Sequence, residues 1–226
     1  MRRWRRAYYD QFSAVYDRFV ALHSSDRQGN LRAYLAEKTG VSSGQRALDI
    51  CTGTGAVLKM LVDRTGPDGL AVGVDFSRGM LAVAKTKLAS RKGAFLVQAD
   101  AGHLPFKSNV FDAVTCAHAF YELKGDTQDA CLKDVERVLK TSKPFLMMEH
   151  ELPRHRLIRL LFYIRLLSMG AKRAFQILKK EKERLESHFE SVRKLPTPSG
   201  NSKIWVGIVG RDGKRPDGAT SSGGNN

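Results

Sequence analysis

Arg46-Ala47-Leu48-Asp49-Ile50-Cys51-Thr52-Gly53-Thr54-Gly55 decides the fold of this 226-residue chain. The stretch reads as a buried strand running into a glycine turn, and Ala56-Val57-Leu58-Lys59-Met60-Leu61-Val62 continues it at helical spacing. Gly53 and Gly55 permit a tight turn and let a ligand approach the main chain, beside the unpaired N–H groups that open a helix. The next apolar run ends on Asp75, 20 residues beyond Gly55. Strand, glycine turn, helix and strand-end acid together predict a nucleotide-type cofactor site at the carboxyl ends of parallel strands.

Outward from that stretch, short β-rich runs alternate with helical patterns from Val41 to Glu151, the rhythm of βαβ units around a mostly parallel sheet. Five strands are expected, Arg46–Cys51, Leu70–Asp75, Ala94–Asp100, Phe111–Ala117 and Pro144–Glu149, each nearly continuously apolar as befits strands covered on both faces. Helices are expected over Ala56–Thr65, Ser77–Ser90 and Asp126–Lys140, with Ser77 as an N-cap. Tyr8 to Gly40 reads as two helices, with Tyr9, Phe12, Tyr16 and Phe19 at spacings of three to four. Phe189–Leu195 and Lys203–Val209 read as an antiparallel pair joined by the turn residues Pro196 to Asn201. The predicted organisation is a helical lid over 1–40, a cofactor-binding core over 41–151, a basic helical segment and strand pair over 152–210 completing the same domain, and a disordered Gly/Ser/Asn-rich tail over 211–226.

The formal net charge of +15 is unevenly spread: Arg154 to Lys194 holds twelve lysines and arginines against four glutamates, and four more arginines lie in the first six residues. Arg154–Phe175 adds a dense apolar series, Leu157 to Met169, interrupted by Arg159 and Arg165 and too short to span a bilayer. Such a segment suits a lid, a core-covering helix, or an interfacial helix that meets a lipophilic acceptor at an anionic membrane surface. The same arginines equally permit a nucleic-acid footprint, although no recognition helix or aromatic RNA-binding pattern accompanies them. Cys51, Cys116 and Cys131 lie in apolar stretches without C-x-x-C spacing, which argues against a disulfide framework or zinc site and for a reducing compartment. The arginine-rich start leads into Tyr8-Tyr9-Asp10-Gln11 and not into an apolar run, so a cytoplasmic protein is expected, with membrane contact at most peripheral.

Two cofactor classes fit the glycine turn. A dinucleotide calls for G-x-G-x-x-G, whereas this chain reads Gly53-Thr54-Gly55-Ala56-Val57-Leu58, which weighs against a nicotinamide oxidoreductase. The segment Ala47 to Gly55 instead resembles the first motif of the class I S-adenosylmethionine-dependent methyltransferases, V-L-D-x-G-C-G-T-G. Val72-Gly73-Val74-Asp75-Phe76-Ser77 is similar to that family's second strand, Gln98 to Phe106 to its third, Phe111-Asp112-Ala113-Val114 to its fourth, and Val135 to Lys140 to the approach to its fifth. Within the family, Asp100 to Phe106, the Tyr16-Asp17 pair and the overall length look most like the ubiquinone/menaquinone biosynthesis group. Two departures stand out: Cys51 replaces the first small residue of the turn, and Thr141-Ser142-Lys143 stands where Pro-Gly-Gly is common.

The resemblance implies a Rossmann-like, doubly wound, mostly parallel seven-stranded α/β sheet with an antiparallel C-terminal strand. It implies S-adenosyl-L-methionine as cofactor, S-adenosyl-L-homocysteine as product, and a small-molecule or lipid acceptor. Asp49 would orient the turn and the methionine ammonium, with Thr52, Gly53 and Gly55 close to the methionine. Asp75 would accept both ribose hydroxyls, with Phe76 beside it. Met80, Asp100 and Ala101 would border the adenine, Ala117 and His118 would line the route to the methyl group, and Tyr16 would reach in from the lid. His118 is the first candidate for a general base and His150 the second, each with a pocket-wall role as its alternative. Neither a Pro-Cys nucleophile loop nor the D-P-P-Y tetrad of base-amine methylases is present, since the fourth-strand end reads Ala117-His118-Ala119-Phe120. No metal site is expected.

Overall fold

The computed structural model describes residues 7–11, 13, 16, 29–123, 125–151, 174–198 and 200–210. The basic apolar stretch up to residue 173, the tail from 211, Phe12 and Asp17 lie outside the described residues. Residues 7–11, 13 and 16 are helical. Helix α1 (Asn30–Lys38) leads to β1 (Arg46–Ile50), α2 (Ala56–Thr65), β2 (Leu70–Asp75), α3 (Arg78–Leu88), β3 (Ala94–Gln98) and β4 (Ala113–Ala117). A 3₁₀ turn (Phe120–Glu122), α4 (Gly125–Val138), β5 (Pro144–His150), α5 (Ala174–Glu186), β6 (Ser191–Pro196) and β7 (Ser202–Ile208) complete the order.

These strands form one seven-stranded sheet in the order β3-β2-β1-β4-β5-β7-β6, parallel from β3 through β5. The predicted C-terminal strand is a hairpin whose second strand, β7, inserts between β5 and β6 and runs antiparallel to both. Chain direction of winding reverses between β1 and β4, which places a crevice at the carboxyl end of that junction. Several strand boundaries differ from the sequence expectation by one or two residues, two of them beside an acidic side chain. β3 ends at Gln98 and not at Asp100, because the Asp100 carboxylate accepts the Gly102 N–H at 3.0 Å and turns the chain locally. Phe111 makes only an isolated bridge to Leu139, and β4 begins at Ala113, since Asp112 is engaged in accepting the Arg46 N–H at 3.0 Å.

Alternation along the strands divides the core into two faces. Leu48 and Ile50 of β1, Val114 and Cys116 of β4, and Phe145 and Met147 of β5 pack against Cys131, Leu132, Val135 and Val138 of α4. On the other face Ala47, Ala113, Leu146 and Met148 meet Leu31 and Leu35 of α1 and Val57, Leu58 and Leu61 of α2. Burying each Leu or Phe side chain contributes about 1.5–3 kcal/mol, so both helical layers are anchored by apolar area alone. Helix α2 begins at Gly55, whose φ of 77° suits glycine and whose lack of a side chain leaves the helix without its own N-cap. Helix α3 has a side-chain cap, as expected: the Ser77 hydroxyl accepts the Met80 N–H at 3.2 Å.

Candidate active site

Parallel register brings five strand ends to one edge of the sheet: Asp49 from β1, Asp75 from β2, Asp100 just past β3, Ala117 and His118 from β4, and His150 from β5. The sequence-predicted residues therefore converge, although they arrive from positions a hundred residues apart.

Asp49 is 1% exposed, and its two oxygens accept the Thr52 and Thr115 hydroxyls at 2.6 and 2.7 Å. Its carboxylate also receives the Leu58 N–H of the first turn of α2. It thus performs the capping that Gly55 cannot, from the strand below. The two hydroxyl bonds join β1 to the turn and to β4. Burial pushes the Asp49 carboxyl up to about 6, against the opposing effect of the two hydroxyls. Gly73, beside Asp49 in the register, leaves the room this packing needs: a Cβ there would come within 2.6 Å of Leu58 and 2.9 Å of Thr52.

Asp75 connects the turn to β2. Its oxygens accept the Gly53 N–H at 2.8 Å and the Ser77 N–H at 2.9 Å, while the Thr52 N–H bonds to the Val74 carbonyl at 2.9 Å. Burial raises its carboxyl, and the backbone donors pull it back. A carboxylate offers about four lone-pair positions, and the Phe76 N–H engages Asp75 as well, so three backbone donors already share it. A Cβ on Gly53 would meet nothing within 4 Å, so space stands open over the turn. Phe76 is 37% exposed next to it, Met80 is buried at the start of α3, and Ala101 is buried behind Asp100. The loop carrying Asp100 is held from α4: Asp134 accepts the Leu104 N–H at 2.5 Å, and Arg137 donates to the Leu104 and Phe106 carbonyls at 3.0 and 2.5 Å. Open backbone space, two strand-end acids and a glycine turn suit a ligand with vicinal hydroxyls and a cationic amino-acid portion.

Cys51 enters this turn with φ of 53°, a left-handed conformation that costs a non-glycine residue about 1–2 kcal/mol. Its thiol hydrogen-bonds Cys116 on β4, whose own thiol is pushed well up by that contact and by burial.

The β4–β5 side differs in chemistry. His118 has φ of 51°, donates its backbone N–H to the Met148 carbonyl at 2.7 Å, and lies with its ring centroid 4.5 Å from that of His150. Burial, then the neighbouring His150 and Arg32, hold the His118 imidazole well below the usual histidine range, so it is neutral near pH 7. Its Nδ1 is buried without a hydrogen-bond partner among the described residues. Tyr121 stands 5.9 Å from the His150 ring, and burial raises its phenol with a further contribution from Glu122. Tyr16 is close enough to Tyr121 to contribute to the same shift.

Sequence reasoning missed the residues that complete this side. Glu149 is fully buried and accepts the Phe120 N–H at 2.9 Å through one oxygen, while the other has no partner among the described residues. Glu181 of α5 pairs with Lys203 of β7 at 2.7 Å and accepts the Trp205 indole N–H at 2.9 Å, and Lys203 lies opposite Glu149 in the sheet register. Burial first, then Glu181, push the Glu149 carboxyl well up. The only sequence signal was Lys203 inside an apolar strand, a charge that a buried position must pair. Tyr9 and Asp10 were missed as site residues as well: Asp10 accepts the Ser77 hydroxyl at 2.6 Å and the Gly79 N–H at 2.9 Å, and Tyr9 bonds to Glu122.

Comparison with known proteins bears on the same region. Residues 47–142 match the methyltransferase domain family. A demethylmenaquinone methyltransferase of Staphylococcus aureus is 35% identical over 145 residues, which cover 64% of this chain and 59% of that protein. The chain thus spans well under two thirds of the length of that relative. Among solved structures, the methyltransferase bound to the Haloferax volcanii Trm112 activator superposes with a TM-score of 0.68 at 16% identity, covering 90% of this chain and 98% of the other. An S-adenosylmethionine-dependent methyltransferase from Aquifex aeolicus gives 0.60 at 18% identity over 83% of this chain and 95% of its own. Residues 47–142 thus resemble a methyltransferase domain in sequence, and the chain shares the Rossmann-like fold of these solved structures.

Proposed function

We propose that the chain binds S-adenosyl-L-methionine across the β1–β4 crevice and transfers its methyl group to a small lipophilic acceptor of the quinone-precursor or lipid kind. The observation that carries this reading is the glycine turn braced by Asp49 from below and by Asp75 from the side, with open space above Gly53. In this reading Asp75 binds the ribose hydroxyls, Asp100 and Met80 border the adenine, and Gly53 and Gly55 let the methionine portion approach the backbone. Bound there, the sulfonium supplies an already activated methyl group, so the residues around it mainly align the acceptor and exclude water.

The acceptor lies on the side of His118, His150, Tyr121 and Tyr16. His118 receives the acceptor's proton at Nδ1 when one must leave, because the ring is neutral and that nitrogen is otherwise unpartnered. The aromatic and imidazole lining supports a planar, weakly polar acceptor, and the relative from Staphylococcus aureus carries demethylmenaquinone in its name. No helix among the described residues is long and apolar enough to cross a membrane, so access to a lipid-borne acceptor would be peripheral. The test is methyl transfer from labelled S-adenosylmethionine into separate quinone, phospholipid and RNA extracts. Label in the quinone or lipid fraction supports the reading. Label confined to RNA replaces it with nucleic-acid modification on the basic face.

A further inference from the structure

The sheet ends in two edges of unlike design. β6 presents Ser191-Val192-Arg193-Lys194-Leu195-Pro196, with Arg193, Lys194 and Pro196 exposed. Charges and a proline on an edge strand keep further strands from adding to it. β3 presents Ala94-Phe95-Leu96-Val97-Gln98, with neither a charge nor a proline, and its Phe95 is 56% exposed, more than any other large apolar side chain among the described residues. The unguarded edge is thus also the one with an apolar anchor in solvent.

Only half of the β3 backbone is used within the sheet. The Ala71 N–H donates to the Gly93 carbonyl and the Ala99 N–H to the Asp75 carbonyl, in register with β2. The N–H and C=O of one residue leave a strand on the same side, and that side alternates along the chain, so Gly93, Phe95, Val97 and Ala99 face β2. Ala94, Leu96 and Gln98 therefore turn their backbone groups outward, where no described strand pairs with them.

Charge and shape narrow what can lie there. From Arg78 to Gln98 the chain holds five lysines and arginines and no acid. Arg91 pairs with Asp63, and Arg78 donates to the Gln98 side-chain oxygen at 2.9 Å, whereas Lys85, Lys87 and Lys92 are exposed. A second copy of the chain at this edge would set like charges against each other. Helix α3, through Leu88, lies on the sheet face of Ala94 and Leu96, while Phe95 shares the opposite face with Val72 and Val97. A flat anionic bilayer meets one of these faces at a time, and a strand in the plane of the sheet meets both.

We propose that the outer edge of β3 is the docking site for an extended acidic segment of a partner protein, which adds as an eighth strand with an apolar side chain against Phe95 and carboxylates toward Lys85 and Lys92. Main-chain bonds to Ala94, Leu96 and Gln98 supply affinity, the Phe95 contact sets the register, and the lysines select the sign of the partner's charge.

The probe is a synthetic peptide of alternating Glu and Val, added to the full chain beside the same peptide N-methylated throughout, which keeps the charge and cannot donate to a strand edge. Amide hydrogen exchange is the readout. The unmodified peptide is expected to slow exchange at Ala94, Leu96 and Gln98 about tenfold, and the N-methylated one to leave it unchanged. Phe95→Ser should weaken binding about tenfold, the size of one lost apolar anchor, and Lys85→Glu with Lys92→Glu should weaken it and remove its salt dependence, all at unchanged melting temperature. No slowing even at millimolar peptide, or equal slowing by the N-methylated form, overturns the docking site. Tighter, Phe95-dependent binding to phosphatidylglycerol vesicles or to an RNA oligonucleotide overturns it too, as does a sedimenting dimer that Phe95→Ser dissociates, because each gives the edge a different occupant.

Discussion

The two halves of the sheet solve the burial of acids in opposite ways. On the β1–β2 side, Asp49 and Asp75 are 1% and 7% exposed, yet the oxygens of both are met by neutral donors, hydroxyls from the turn and from β4 and backbone N–H groups of the turn and of the residues after β2. On the β5–β7 side, Glu181 pairs with Lys203, the residue opposite Glu149 in the sheet, and each glutamate keeps one oxygen without a partner among the described residues. The first arrangement is centred on the glycine turn and neutral in its donors. The second is ionic, assembled from three distant elements, and unsatisfied in part. A turn satisfied by its own backbone can hold a fixed ligand geometry, whereas a half-satisfied acidic cluster ties stability to the charge state of its members.

The largest effect should come from unbalancing the ionic side. Lys203→Met leaves Glu181 buried without its cation and is expected to cost about 3–5 kcal/mol in urea unfolding, because an unpaired buried charge forfeits its compensation. The double change Lys203→Met with Glu181→Leu should recover most of that loss. A single variant as stable as the wild type would erase the contrast between the halves.

Next in size is the pH response of the local side. Asp49 titrates near 6 in the fold, above its ordinary value of 3.8, so the folded chain retains a proton that the unfolded chain releases. The stability from this group is complete below the ordinary value and declines as pH rises through about 6, by about 3 kcal/mol in all. The raised Glu149 acts in the same direction, so Asp49→Asn should flatten the decline between pH 4 and 6 and leave the later part intact. Unfolding curves across that range check both signs.

Smaller effects test the packing of the turn itself. Gly73→Ala drives a Cβ into Leu58 and Thr52 and is expected to cost about 1–3 kcal/mol, with cofactor affinity falling alongside. Cys51→Gly relieves the left-handed strain at the price of a freer unfolded chain, for a net gain of about 0.5 kcal/mol by thermal unfolding.

How much of this was legible in the sequence follows the same division. Helix α2 lies over Ala56–Thr65 as its apolar spacing predicts, Ser77 caps α3, and Asp75 ends β2, because each depends on neighbours a few residues away. The convergence of Asp49, Asp75, Asp100 and His118 followed once a parallel sheet was read from the βαβ rhythm. Glu149 was visible only as a flank of His150, since nothing near it in sequence announces Glu181 or Lys203. Tyr9 looked like one member of an aromatic stripe, and nothing around Asp10 singled it out. Their partners, Phe76, Glu122, Ser77 and Gly79, lie 67 to 113 residues away, and Gly79 gave no sign that a helix would rest on it. The early end of β3 was likewise hidden, because a side-chain hydrogen bond at Asp100 outcompeted an apolar run.

The central claim is that the turn between β1 and α2, braced by Asp75, is the seat of a sulfonium nucleoside. Titration calorimetry of the full chain and of Asp75→Ala with S-adenosylhomocysteine, and separately with NAD, tests it most directly. The account predicts one bound S-adenosylhomocysteine on the wild type, an affinity at least about tenfold weaker on the variant through loss of the paired ribose contacts, and no heat with NAD. Equal affinity of wild type and variant, or binding of NAD alone, would contradict it.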